Sequence, residues 1–168
     1  LSMQVNGVGE FINDFLDDTV LFASASASQT LPDDGMAMLG SLDKESGYSY
    51  WVGATFPAFF EGDRFGLEYN HGSKYWRSFT YGEDTLIGSK LAARGDAYEA
   101  YYNIPIIGES LYFQLRYTYI KYDYTGSNGF FGSASGTPTA MSEVSASGHG
   151  GMYVESAQDI RAMIRYNY

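Results

Sequence analysis

The sequence predicts an all-β protein: an antiparallel up-and-down transmembrane β-barrel, or the C-terminal part of a larger one, with about six to eight strands. Three observations predict it. Aromatics make up 17% of 168 residues, with 16 Tyr, 20 Gly and only 4 Pro, a composition that suits pleated surfaces joined by turns. Apolar and polar residues alternate over runs of about 9–11 residues or slightly more, the length a tilted strand needs to cross a bilayer, whereas soluble strands usually run about 5–6. Short and long connections also alternate, as periplasmic turns and external loops do in such barrels.

Successive side chains of a strand point to opposite faces, so each run divides into two sets. A strand is expected near 19–29, where Asp18–Gln29 alternates weakly through Ala and Ser. Near 47–58, Tyr48, Tyr50, Val52, Ala54 and Phe56 oppose Ser49, Trp51, Gly53 and Thr55. Near 64–76, Phe65, Leu67 and Tyr69 oppose Arg64, Gly66, Glu68 and Asn70. Near 95–106, Tyr98, Ala100, Tyr102, Ile104 and Ile106 oppose Ala97, Glu99, Tyr101 and Asn103. Near 111–124, Leu111, Phe113, Leu115, Tyr117 and Tyr119 oppose Tyr112, Gln114, Arg116 and Thr118. The last run, 158–168, sets Ile160, Ala162, Ile164, Tyr166 and Tyr168 against Asp159, Arg161, Met163, Arg165 and Asn167. It ends on an aromatic of the apolar set, as final strands of outer-membrane barrels do. Ile160, Met163 and Ile164 also fit helical spacing, but the neighbouring long β-runs favour a strand.

Phe60–Asp63 and Ile107–Ser110 read as tight turns, while Thr30–Gly47, His71–Gly95 and Thr125–Ala157 read as long connections, the last rich in Gly, Ser and Ala without a hydrophobic period. Ser2–Glu10 is a candidate seventh strand, and Glu10–Asp18 carries helix-like spacing through Phe11, Ile12, Phe15 and Leu16. With Tyr168 on the periplasmic side, a seventh strand would start outside the cell. Bacterial single-chain barrels normally have even strand numbers. The expectation is therefore that 1–168 is a single barrel region, the C-terminal portion of a longer barrel, and that Leu1 is an internal boundary.

Several classes are excluded or disfavoured. The chain has no Cys, which removes disulfides, thiolate metal sites and a cysteine nucleophile. A formal charge of −10 argues against nucleic acid and against docking to an anionic leaflet. No apolar run approaches the ~20 residues of a membrane helix. The mean hydropathy of −0.24 is compatible with a barrel, because half of each strand faces a polar lumen. Asp33-Asp34-Gly35 and Asp43 lack the spacing of a Ca²⁺ loop, and neither a metal nor a cofactor is expected. His71 and His149 fall in expected loops, with Ser73, Glu83 and Asp84 as the nearest material for a hydrolase site. Solvated loop residues are the simpler reading, and no enzyme activity is expected.

Two residue sets are candidates for function. Arg64, Glu68, Glu99, Arg116, Arg161 and Arg165 share the lumen parity. They are expected to set an acidic side of the sheet against a basic one, giving a transverse field that filters solutes. The competing reading is interior ion pairing. Tyr75, Trp76, Tyr122 and Tyr124 near the long loops, with Tyr166 and Tyr168 near the tight turns, are expected at the membrane interfaces.

The segments Gly66–Arg77, continuing through Phe79–Thr85, Lys90–Tyr102 and Tyr119–Gly132 resemble the C-terminal half of an uncharacterised family of porin-like bacterial outer-membrane proteins of epsilonproteobacterial type. The resemblance spans roughly residues 18–168 and implies an outer-membrane barrel. It implies no activity and carries over no functional residue. The expected function is a porin-like channel for passive diffusion of small polar solutes or ions. A non-transport anchor, scaffold or sleeve for a partner protein competes with it, as does a soluble secreted β-sandwich binding module. The expected partners are outer-membrane lipid, the barrel-assembly machinery through the C-terminal strand, and either further copies of the chain or a periplasmic or extracellular protein.

Overall fold

The structure is a computed structural model that describes residues 1–9, 12–78, 87–108, 110–126, 137–148 and 153–166. Seven strands form one antiparallel sheet in strict chain order. They are β1 (Ser2–Asn6), β2 (Val20–Gln29), β3 (Ser46–Pro57), β4 (Arg64–Gly72), β5 (Gly95–Ile107), β6 (Leu111–Tyr122) and β7 (Ser156–Tyr166). The sheet is not closed: β1 and β7 are its two edges. The protein is thus all-β and up-and-down. No described helix is long and apolar enough to cross a membrane, which says nothing of strands.

The candidate N-terminal strand exists, as the short β1, and the helix-like stretch after it contributes one turn of helix, α1 (Asp14–Asp17). Asn13 caps that turn, its Oδ1 accepting from the Leu16 amide at 2.9 Å. The final run is a strand paired along its length with β6, which removes its helical alternative; Asn167 and Tyr168 lie outside the described residues. Both tight turns fall where expected. The register slips only between Pro105 and Ile107, at the end of the β5–β6 ladder, where Pro105 has no amide to donate.

Pairing turns the strand parities into two continuous faces. Trp51 stands beside Asn70, Glu68 beside Glu99, and Arg116 beside Arg161, so every polar set lies on one face, here called inner. Burial then runs opposite to that of a water-soluble sheet. On the inner face Asn70, Glu99, Gln114, Arg116 and Thr118 are buried, whereas on the outer face Leu67, Tyr98, Leu115, Ile160 and Ile164 are exposed. The extremes are Asn70 at 1% and Ile160 at 73% exposure.

What buries the inner face is the chain itself. The described parts of the connection between β4 and β5, residues 73–78 and 87–94, fold back over it and carry a 3-10 turn at Lys90–Ala92. The β6–β7 connection, expected to be featureless loop, instead carries a second helix, α2 (Met141–Ala146), whose Met141 and Val144 are buried. Ala93, Ala97, Ile120, Tyr122 and Met141 form the small apolar core between these segments and the sheet. Glycines make the close approach feasible. A Cβ on Gly72 would lie 2.0 Å from the Ala93 carbonyl oxygen, and one on Gly47 2.3 Å from that of Tyr75.

Candidate functional site

The site is the inner face of β4–β7 together with the segment lying on it. Glu68 and Glu99 are directly opposite on neighbouring strands, a like-charge pairing that is unfavourable by itself. Lys90 resolves it. Its ammonium stands 2.5 Å from Glu68 Oε2 and 2.5 Å from Glu99 Oε1, with all three side chains under 10% exposed. Burial works to lower the Lys90 pKa, but the two carboxylates overcome it and hold the ammonium above its ordinary value. The network extends on both sides. Trp51 Nε1 donates to Glu68 Oε2 at 2.9 Å, Thr118 Oγ1 donates to Glu99 Oε2 at 2.7 Å, and Arg116 Nη1 lies 3.2 Å from Glu99 Oε1.

Backbone groups of the same segment are held by side chains. Asn70 Nδ2 donates to the Lys90 carbonyl at 2.8 Å, and Trp76 Nε1 to the Leu91 carbonyl at 2.8 Å. Arg94, fully buried, donates through Nε to the Trp76 carbonyl and through Nη1 to the Thr125 carbonyl, each at 3.0 Å. Burial, with Arg77 nearby, lowers its guanidinium to about 10, so it stays charged at neutral pH.

Register adds an offset to the expected charge layout. Glu68, Glu99, Thr118 and Asp159 form one row across four strands, and Gly66, Tyr101, Arg116 and Arg161 form the next row toward the tight turns. The named acidic and basic groups are therefore offset along the strands as well as across them, with Asp159 of β7 in the acidic row, and any field they set up runs obliquely to the strands. They are also largely paired: Arg161 Nε is 2.5 Å from Asp159 Oδ2, a contact of charges that lacks hydrogen-bond geometry. Arg64 lies nearer the tight turns, donating to the Asp18 carbonyl at 2.6 Å. Arg165 is exposed at the same end, its Nε 3.2 Å from Met163 Sδ.

Two expected interface aromatics belong elsewhere. Tyr122 is on the inner parity and Trp76 on the inward-folded segment; both are buried, and Tyr122 donates its hydroxyl to the Ile87 carbonyl at 3.0 Å. Neither can meet lipid from there. Tyr75 is half-buried beneath the Lys74 ammonium, 5.0 Å from its ring, Tyr124 is half-buried in a bridge to Ala140, and Tyr166 is exposed on the outer face. Tyr168 lies outside the described residues. The outer face carries an unexpected row instead: Tyr50, Tyr69, Tyr98 and Tyr119 run across four strands, with successive ring centroids 5.8, 5.2 and 6.4 Å apart.

His71 lies in β4, not in a loop, with Nδ1 2.9 Å from Asp96 Oδ1, which also accepts from the Tyr69 hydroxyl at 2.7 Å. His149, Glu83 and Asp84 lie outside the described residues. Asp33 closes a turn with Met36. Among the described residues no group of three or more His, Asp or Glu is placed to hold a metal ion.

The inner face of β1–β3 is open by comparison. Hollows of about 610, 750, 490 and 510 Å³ follow one another from the tight-turn end to the long-loop end, the first beside the β3–β4 and β5–β6 turns at Glu61, Pro105 and Tyr112, the other three over β1–β3 and the segment beside them. Arg64 lines the first two, Ser24 and Trp51 the second and third, and Ser78 the third and fourth.

Fold and site together define an all-β protein built on an up-and-down antiparallel sheet, with its charged face covered by its own connections and its apolar face bare. The chain belongs to a family of proteins of unknown function, DUF3373, whose model matches residues 1–168. No curated protein and no solved structure matches it.

Proposed function

We propose that this chain forms a wall of a bacterial outer-membrane β-barrel that works as a porin-like channel, passing small polar solutes along its inner face. The observation that carries the reading is the inversion of polarity: buried charge on one face, bare apolar side chains on the other. In water the outer face would be an aggregation hazard, whereas against lipid it is the expected surface. Its extent fits. Leu111, Phe113, Leu115, Tyr117 and Tyr119 of β6 share the outer parity, about 27 Å along the strand at ~3.4 Å per residue, or about 20 Å at a ~40° tilt, against a typical apolar band of ~25 Å. The upper edge of that band is the tyrosine row, which includes Tyr119, and beyond it stand His71, Asp96 and Lys121 in register, an order from apolar through amphipathic to charged that matches an interface. Edge strands cannot stay unpaired in a bilayer. The reading therefore requires β1 and β7 to pair with further strands, and gives β7 to the barrel-assembly machinery as the strand it engages. The row of hollows, from the β3–β4 and β5–β6 turns along β1–β4, is the solute path.

A second reading, a non-conducting anchor or scaffold, is favoured by the covered inner face of β4–β7. Purified protein reconstituted in planar bilayers separates the two: discrete conductance steps are expected of a channel, and a silent bilayer with folded protein inserted would favour the scaffold. Protein that stays soluble and monodisperse without detergent would sink both.

A further inference from the structure

The hollow of about 750 Å³ has an aromatic floor of unusual construction. Phe22 on β2 stands directly opposite Gly53, and Tyr101 on β5 directly opposite Gly66. A Cβ on Gly53 would fall 2.4 Å from the Phe22 ring, and one on Gly66 2.0 Å from Tyr101 Cζ. Each ring therefore lies across the glycine beside it instead of standing upright from the sheet. The Tyr101 hydroxyl reaches over β4 to Thr55 Oγ1 on β3, at 2.9 Å. Trp51 fills the space between, its ring 4.6 Å from that of Phe22 and its Nε1 fixed on Glu68. All three rings remain partly exposed. Around them stand Ser2, Gln4, Ser24 and Thr55. The two charged residues of the lining are each matched, Glu68 by Lys90 and Arg64 by Asp18.

We propose that this hollow is a binding site for uncharged saccharide rings. A sugar presents an apolar C–H face and a rim of hydroxyls; the rings supply a surface for the first, and the hydroxyl and amide groups supply partners for the second. A charged solute would surrender hydration without meeting an unmatched opposite charge. The volume of about 750 Å³ is in the ~300–1,000 Å³ range of small-molecule sites. The site rests on the channel reading for access to its solute.

The test is tryptophan fluorescence of the full chain in dimethyldodecylamine oxide, a detergent without a sugar headgroup, titrated with maltotriose, glutamate, lysine and benzoate. Trp51 reports, while buried Trp76 gives a constant background. A saturable response to maltotriose is expected, at least tenfold weaker or absent for the other three solutes. Phe22→Leu keeps apolar volume but removes the ring, and is expected to weaken the sugar response about 3- to 10-fold with an unchanged far-UV spectrum. Ile160→Val, on the exposed outer face of β7 and outside the hollow, is expected to retain it within about twofold. An equal or stronger response to benzoate, glutamate or lysine, or no sugar response, would overturn the site. Bilayer conductance is read separately: a conducting protein without the sugar response overturns the site alone, and a sugar response without conductance overturns only the channel.

Discussion

The two halves of the inner face are made from the same kind of strand and end in opposite states. β4–β7 lie beneath a segment of their own chain, with Lys90 and Arg94 buried among carboxylates and carbonyls. β1–β3 carry the same alternation but remain open, presenting Ser24, Ser26 and Trp51 to a string of hollows. Strand propensity does not distinguish them. The difference is set by what the connections carry. The β4–β5 connection brings a cation to a doubled carboxylate and passes over glycines that leave it room, whereas the β2–β3 connection is tied at the long-loop end, where the Thr30 amide donates to the Glu45 carbonyl and the Glu45 amide donates to Thr30 Oγ1. A covered half of this kind behaves like a small protein interior, and its buried charges are tolerable only as a complete set.

The comparison breaks most readily at Lys90. Lys90→Met leaves Glu68 and Glu99 facing each other without the buried ammonium, and is expected to cost about 3–5 kcal/mol in urea unfolding from micelles. Hydrogen exchange should then show the segment around Lys90 losing protection while β1–β3 stay unchanged; equal loss in both halves would deny that the segment is held locally. The same ion pairs set a pH dependence. The Lys90 pKa is raised above its ordinary 10.5, so its stabilisation is complete below that value and is lost only as pH rises through the higher folded one. Protection of the segment should therefore be flat from pH 6 to 9 and fall only in strong alkali. A smaller effect is expected from Gly72→Ala, whose new methyl meets the Ala93 carbonyl, at about 1–3 kcal/mol. Ser26→Ala on the open half is the control, expected within about 0.5 kcal/mol of the parent. A larger change there would mean that this half is covered as well.

Strand positions were legible because alternation is a local signal: β2 through β6 fall within a few residues of where parity puts them, and even the weak Ala–Ser alternation of β2 marks a real strand. The membership of each face was legible for the same reason. Register was not. Nothing local says that Glu68 meets Glu99 rather than Tyr101, and a two-residue slip would have kept every face while producing another charge map. Lys90 was overlooked because it sits in a connection without period. The signals that point to it are weak: a cation followed by Leu91, Ala92 and Ala93, and glycines at the inner-parity ends of β3 and β4, where a strand usually avoids them. Trp76 and Tyr122 were misplaced because aromatic content near a strand end does not tell a ring that meets lipid from one that supports a loop.

The sequence by itself determined the class of the protein and the two chemistries of its sheet, since side-chain alternation is written residue by residue. Tertiary structure decided which of those chemistries is hidden. The inner charges are buried because a distant segment returns with the matching cation, a contact that depends on register and on loop path. The outer apolar side chains stay largely bare because, among the described elements, the single helical turn α1 reaches them only at the edge, where Phe15 stacks on Phe56.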